Sequence, residues 1–451
     1  MRRSLITFAA ALVLSASFSA LGQLKVAPIE LKQRTLSNGM RVISHRDTSS
    51  PTVSVHVWYD VGGKNDPPGR SGFAHMFEHM MFKATKHMPN ETFDRLTEDV
   101  GGFNNASTWP DFTNYYEVVP SNHLERILWA EADRMVNLNV DEGNFASERE
   151  VVKEEYRQGV LAPPYGKFFW LLDELSFQKH PYKRGVIGNL DELSAATRAD
   201  AEKFYKTFYR PDNAVLIVVG NFDQKQFDGW VDKYFGSIKR PEGDIPRVTV
   251  AEPEWREERR FSEFGPRVPF PATAIIYRAP KTTSPDIYAI RLAAAILSGG
   301  ESSRLYQALV RDQEVAQQAD LDLELNTEGG RMSLLAIGSQ KGTSEVLEKA
   351  LLAELKKIQD GGVTAKELEK AKNQLISRAI RARETNDGKA IAIERAVAYQ
   401  GDPDAVNTEV ERLQRVTAAD IQRVMKQYFK DDNRVVLYYN QAKEAEAEGN
   451  E

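Results

Sequence analysis

Three residues in this 451-residue chain have the types and spacing for metal chemistry: His75, Glu78 and His79. They lie in the stretch Gly72-Phe73-Ala74-His75-Met76-Phe77-Glu78-His79-Met80-Met81-Phe82. Helical geometry puts His75 and His79, four apart, on one face and one turn from each other. Two imidazoles so placed can bind the same tetrahedral zinc. Glu78, three residues after His75, projects beside them and is placed to take a proton from a water on that metal. The order is the reverse of His-Glu-x-x-His, with the same physics. The plain alternative is an exposed helix that happens to carry two histidines and a glutamate. Apolar residues nearly all round argue instead for burial. Buried imidazole and carboxylate need partners, and a metal supplies them. The chain has only seven histidines, the last at His180, so imidazole chemistry belongs to its first half.

Two histidines leave the site short of a ligand. A catalytic zinc takes three protein ligands and keeps its fourth place for water. The acidic stretch Glu148-Arg149-Glu150-Val151-Val152-Lys153-Glu154-Glu155 offers carboxylates. Glu148 and Glu155, seven apart, share a helical face, so either can ligate while the other steadies a ligand from behind. Spacing alone does not choose between them, and a Glu-rich helix is ordinarily a solvated surface.

The elements that position these residues can be read along the chain. His123 to Met135 places Leu124, Ile127, Leu128 and Met135 on one helical face, as for a helix packed on a sheet. Val53 to Tyr59 alternates as a strand. The chain also repeats itself at an offset of 220. Thr197, Asp200, Lys206, Asp212, Asn213 and Val215 return as Thr417, Asp420, Lys426, Asp432, Asn433 and Val435. Both copies predict a Thr-capped helix, an Asp-Asn turn and a strand, Ala214 to Val219 and Arg434 to Tyr439. A weaker echo pairs Val53–Tyr59 with Ala272–Tyr277. So long a period implies two copies of one domain, not a solenoid. The mixture of helices and strands with hairpin-like connections predicts an α+β fold of two similar domains, each a mostly antiparallel sheet packed with helices. Expected boundaries are 1–22 for a signal peptide, 24–240 for an N-terminal zinc domain and 241–264 for a Pro- and charge-rich linker. A second domain without metal covers 265–440, and 441–451 is a frayed tail.

Composition narrows the function. The chain is 27% charged and 41% hydrophobic, a globular balance. It has no cysteine, which excludes disulfides, thiol nucleophiles, Cys-based zinc fingers and iron–sulfur clusters. A net charge of −6 does not suit a nucleic-acid binder. Residues 1–22 open with Arg2 and Arg3, run apolar from Leu5 to Leu14 and end at Ala20-Leu21-Gly22, a secretory pattern too short to span a bilayer comfortably. The mature chain is expected to be exported to a bacterial periplasm, without stable membrane insertion.

The motif and the segments after it resemble the pitrilysin family of inverted-motif zinc peptidases, which includes insulin-degrading enzyme and the mitochondrial processing peptidase. The resemblance covers essentially the whole mature chain. It implies the pitrilysin-like fold and one Zn²⁺ per chain. In that family the third ligand is a glutamate some 76 residues past the second histidine, in a segment like Glu-Arg-x-Val-x-x-x-Glu. This selects Glu155 as ligand and makes Glu148 the supporting glutamate, with Glu154 as the fallback. The segment from Gly101 to Tyr116, with Asn105 and Ala106, resembles the edge strand to which substrate peptide adds as an extra strand. The implied mechanism has Glu78 as general base for a water on zinc held by His75, His79 and Glu155.

The second half departs from that pattern. At the 220 offset, His75, Glu78 and His79 fall at Ala295, Ser298 and Gly299, so no metal site is expected there. Ser302 to Arg311 resembles a family helix whose final arginine is followed, seven residues on, by a tyrosine that helps bind substrate. Arg311 fits, but the tyrosine position is Gln318. The resemblance therefore implies a dimer: a paralogous non-catalytic subunit supplies an intact Arg-Tyr pair, or a homodimer uses another residue. The expected activity is a zinc metalloendopeptidase acting on unfolded peptides. The rivals are a non-enzymatic, peptide-holding or structural subunit on the same fold, and a metal-dependent hydrolase of another substrate class.

Overall fold

The computed structural model describes residues 26–442. The signal-peptide segment and the end of the tail lie outside them. Among the described residues, eleven strands form two sheets. The first half supplies β1 (Lys32–Thr35), β2 (Arg41–Arg46), β3 (Thr52–Tyr59), β4 (Phe103–Thr108), β5 (Thr113–Pro120) and β6 (Ala214–Gly220). The second supplies β7 (Arg259–Gly265), β8 (Ala272–Ala279), β9 (Ala316–Glu324), β10 (Gly330–Gly338) and β11 (Arg434–Gln441). The helices that bear on the site and on the joining of the halves are α1 (Phe73–Met80), α2 (Leu124–Asn137), α3 (Glu142–Tyr156), α4 (Gly166–Ser176), α5 (Arg198–Phe208), α6 (Ile287–Ser298), α7 (Asn386–Gln400) and α8 (Ala418–Tyr428).

The sheet orders are β1-β2-β6-β3-β5-β4 and β7-β11-β8-β10-β9. In each, one parallel pair, β2 with β6 or β7 with β11, adjoins an otherwise antiparallel ladder. Dropping β1 superposes the two orders strand for strand. The 220-residue repeat is thus a repeat of topology. α5 and α8 both open with reciprocal capping boxes, Thr197 with Asp200 and Thr417 with Asp420, which satisfy the first free N–H groups of each helix.

β6 is buried at every position, Ala214 to Gly220, because both faces of its sheet are covered. Ala214, Leu216 and Val218 face the cluster that holds α1 and α2. Val215, Ile217 and Val219 face α7, which belongs to the second half. The exchange is mutual. α4, from the first half, lays Phe168, Leu171 and Leu172 on Ala272, Ala274, Ile276, Val435 and Leu437 of the second sheet. Gly166 and Asn386, the first residues of these two helices, are themselves 220 apart. Each half therefore lends its copy of one helix to close the other's sheet. His56 of β3, fully buried, meets Glu394 Oε2 at 2.7 Å and Asp387 Oδ1 at 3.3 Å, both on α7. Ahead of β1, Ile29 exchanges backbone hydrogen bonds with the Asn407 side chain at 2.8 and 3.0 Å.

Two boundaries differ from the sequence reading. The segment expected as linker over 241–264 contains β7, which pairs along its length with β11. Its burial alternates, with Arg260, Ser262 and Phe264 exposed and Arg259, Phe261 and Glu263 partly covered, as in an edge strand, and its charge made it read as linker. Gln441, expected in the tail, closes β11. Among the described residues no helix is long and apolar enough to cross a membrane.

Candidate metal centre

Gly72, the residue before α1, has a φ of +86°, a left-handed conformation that favours glycine. A Cβ there would also meet the Ile187 carbonyl at 2.7 Å. The Asp66 carboxylate accepts from the backbone N–H groups of Gly72 at 2.7 Å and Ala74 at 2.8 Å, capping the helix from a buried position. Burial pushes that carboxyl up to about 7 against those hydrogen bonds. Phe73, Ala74, Met76, Phe77 and Met80 are wholly buried, as the apolar sequence requires. His75 and His79 retain some exposure and face α3.

The Nε2 atoms of His75 and His79 each lie 3.6 Å from Glu155 Oε2. Two tetrahedral ligands, each about 2.1 Å from one zinc ion, stand about 3.4 Å apart. The donor atoms of His75, His79 and Glu155 all fall within 4.8 Å of one another. Two neutral nitrogens and one carboxylate in this spacing suit zinc. Burial, then the neighbouring His79, depresses His75 to about 4, which keeps it neutral and able to ligate. Burial would also lower His79, but the Glu148 hydrogen bond and the Glu155 charge outweigh it and raise it.

Glu148 is buried behind His79, with Oε2 at 3.4 Å from Nδ1. A carboxylate there fixes the ring and leaves Nε2 for the metal. Lys83, just past α1, holds the other oxygen of Glu148 at 2.7 Å. Burial would raise Glu148, but the His79 and Lys83 hydrogen bonds win and hold it low, hence charged. Glu154 turns to Arg157 and Gln158 at 3.1 Å each, away from the cluster.

Burial raises Glu78, partly offset by a hydrogen bond from Thr108 Oγ1 to its Oε2 at 2.6 Å. Thr108 ends β4, the outermost strand of its sheet, which pairs only with β5 among the described strands. Asn105 and Ala106 sit opposite Tyr116 and Tyr115 in that ladder. The turn beyond Thr108 is anchored at Asp111, whose carboxylate accepts from Lys64 Nζ at 2.8 Å and from Thr327 N and Oγ1 at 2.8 and 2.6 Å. Thr327 belongs to the second half, so the two halves meet at the end of this edge strand.

The structure thus gathers His75, His79, Glu155, Glu148 and Glu78, with Asn105 and Ala106 on the adjoining edge. Arg311 lies outside this cluster, in a π-helical stretch from Tyr306 to Asp312. Its Nε pairs with Asp312 at 3.0 Å. Gln318 lies on β9 and bonds Asp320 at 2.7 Å. In the second half α6 occupies the place of α1 and ends at Ser298, with Gly299 after it. Sequence reasoning did not find Asp66, Lys83 or the hydroxyl of Thr108. Lys83 and Thr108 carry no spacing signal because each acts across the fold, and Asp66, six and eight residues before the N–H groups it accepts from, lies outside the usual capping spacing.

Residues 41–188 match the family described as Insulinase (Peptidase family M16), and residues 195–375 match its companion, Peptidase M16 inactive domain. The chain is 30% identical over 408 residues to the zinc protease PqqE of Helicobacter pylori, spanning 90% of this chain and 91% of that one. A probable mitochondrial-processing peptidase subunit beta of Arabidopsis thaliana is 24% identical over 414 residues, spanning 89% and 77%. The crystal structure of a protease from Helicobacter pylori superposes with a TM-score of 0.88 at 29% identity, covering 92% of this chain and 100% of that one.

Proposed function

Because this chain belongs to the insulinase family of peptidases, M16, we propose that it is an exported zinc metalloendopeptidase that cleaves unfolded peptides. One observation carries the proposal. Two imidazole nitrogens stand 3.6 Å from one carboxylate oxygen, beside a glutamate tied to an open strand edge.

His75, His79 and Glu155 would hold the zinc, one per chain. Bound there, zinc supplies a Lewis acid for the attacking water and for the scissile carbonyl. The remaining work falls to the chain. Glu148, with Lys83 behind it, keeps His79 oriented and its Nε2 free. Glu78 takes the proton from the attacking water at a carboxylate oxygen and returns it to the leaving nitrogen. The backbone of β4 around Asn105 and Ala106 pairs with an extended substrate, which favours unfolded chains. Phe103 and Trp109, both exposed, flank that edge and offer apolar contact to alternate substrate side chains.

We further propose that the working unit is a dimer in which a facing chain completes the site. Arg311 is exposed and Gln318 replaces the tyrosine, so this chain does not itself offer the Arg-Tyr pair. A paralogous non-catalytic subunit with that pair is the favoured partner, and a homodimer is the alternative. The leader-like residues 1–22 support a periplasmic location.

The test is zinc content together with hydrolysis of a quenched fluorescent peptide, using the mature chain alone and with its paralogue. Glu78→Gln is expected to keep zinc and lose hydrolysis, and His75→Ala to lose both. Turnover by Glu78→Gln at the wild-type rate would refute the base assignment. Full activity of the chain alone would refute the obligate heterodimer. A zinc-loaded chain inactive on every peptide in either assembly would refute the peptidase reading, and a panel of non-peptide substrates would then separate a hydrolase of another class from a non-enzymatic subunit.

A further inference from the structure

The general base is held by the strand that takes the substrate. We propose that Thr108 is a positioning residue for Glu78: its hydroxyl fixes the carboxylate, so the edge that pairs with peptide also aims the proton acceptor. This rests on the reading of Glu78 as the base.

The geometry is direct. Thr108 Oγ1 donates to Glu78 Oε2 at 2.6 Å, a charge-assisted length. One carboxylate oxygen is thereby engaged and Oε1 is left for the water. Strand alternation puts Thr108 on the same face as Ala106, which is buried in the core with α1. Asn105 and Ser107 point the other way. The donor therefore faces the helix while the neighbouring backbone remains at the open edge. A β-branched side chain is stiff about χ1, so its hydroxyl does not wander.

The strand end is fixed as well. The Trp109 N–H donates to the Phe112 carbonyl at 2.8 Å, and the Gly63 N–H donates to the Trp109 carbonyl at 3.1 Å. Asp111 then ties the turn to Thr327 of the second half. A chain of short contacts thus runs from the second half, through the hairpin tip, to the base. The half without metal ligands steadies the proton acceptor through this seam, and a peptide that adds to β4 meets a base already oriented.

The test compares Thr108→Val, which keeps the shape and removes the donor, with Thr108→Ser, which keeps the donor. Both are made in the assembly that is active as wild type. Loss of a hydrogen bond to a charged group predicts a fall in kcat of about 10- to 100-fold for Thr108→Val. KM, zinc content and the thermal midpoint should stay near wild type. Thr108→Ser should recover kcat to within about threefold by the same reasoning. Wild-type kcat in Thr108→Val, equal loss in both variants, a loss confined to KM, or loss of zinc would each overturn the proposal. A readout independent of turnover is the Glu78 side chain in crystals of the zinc-loaded wild type and Thr108→Val. One rotamer in the first and several in the second is expected, and the same single rotamer in both overturns it. An inactive wild type would count against the peptidase reading, while the crystals would still decide the role of Thr108.

Discussion

Raising the pH should loosen the contact between the first sheet and α7, and His56 sets the size of the effect. The His56 ring is fully buried and lies between Glu394 and Asp387 of α7, stacked on Tyr116 with ring centroids 5.4 Å apart. Burial alone would lower its pKa. The hydrogen bonds and charges of Asp387 and Glu394 reverse this and raise it from 6.5 to about 9. Below pH 6.5 the ring is protonated in both folded and unfolded chains, and its contribution is fully present. Between 6.5 and about 9 the unfolded chain has given up the proton while the folded chain keeps it, so stability falls as pH rises. Above about 9 the contribution is gone. At about 1.4 kcal/mol per pH unit, the whole window is worth about 3 kcal/mol. The assay is urea unfolding at a series of pH values from 6 to 10, on wild type and His56→Gln. Wild type should lose about 3 kcal/mol more than the variant across the window. Parallel curves for the two proteins between pH 6.5 and 9 would refute the reasoning, because the buried ring would then be neutral in the fold.

Lys83→Met removes the cation that holds Glu148, so zinc affinity measured by chelator competition should fall about 10- to 100-fold with the fold intact. An unchanged affinity would mean that Glu148 needs no such support. Asp111→Ala removes the closer carboxylate from Lys64, which keeps Glu328 at 3.3 Å, and cuts both Thr327 bonds, and should destabilise the chain by about 1–3 kcal/mol in urea unfolding. Phe168→Ala, which removes a fully buried ring of α4 from the second sheet, should cost about 3–5 kcal/mol. The unfolding midpoint checks it.

The chemistry of the site was legible where it is local. Helical periodicity alone places His75, Glu78 and His79 together, because residues three and four apart share a face in any α-helix. The same holds for the Thr197 and Thr417 caps, whose partners lie three residues away, and for the alternation of β3. The 220-residue repeat was legible because both copies still build the same helix, turn and strand. Other features depended on contacts that sequence spacing does not encode. Glu148 and Glu155 share a face, but which one reaches the histidines depends on how α3 crosses α1. Glu155 comes to both Nε2 atoms because that crossing lays the C-terminal end of α3 against them. β7 was lost in the linker because an edge strand carries charge on its open side and is recognised only by its pairing with β11. The exchange of α4 and α7 between the halves has no local signal, since an apolar helix face does not say whose sheet it will cover. Thr108 is an ordinary strand threonine until the ladder brings it to Glu78. Sequence determined the grouping of His75, Glu78 and His79 and the repeated helix, turn and strand, because short-range geometry fixes both. Only the tertiary structure decided which carboxylate of α3 meets both histidines, which hydroxyl meets Glu78 and how the halves are coupled, because each is a contact between segments far apart in the chain.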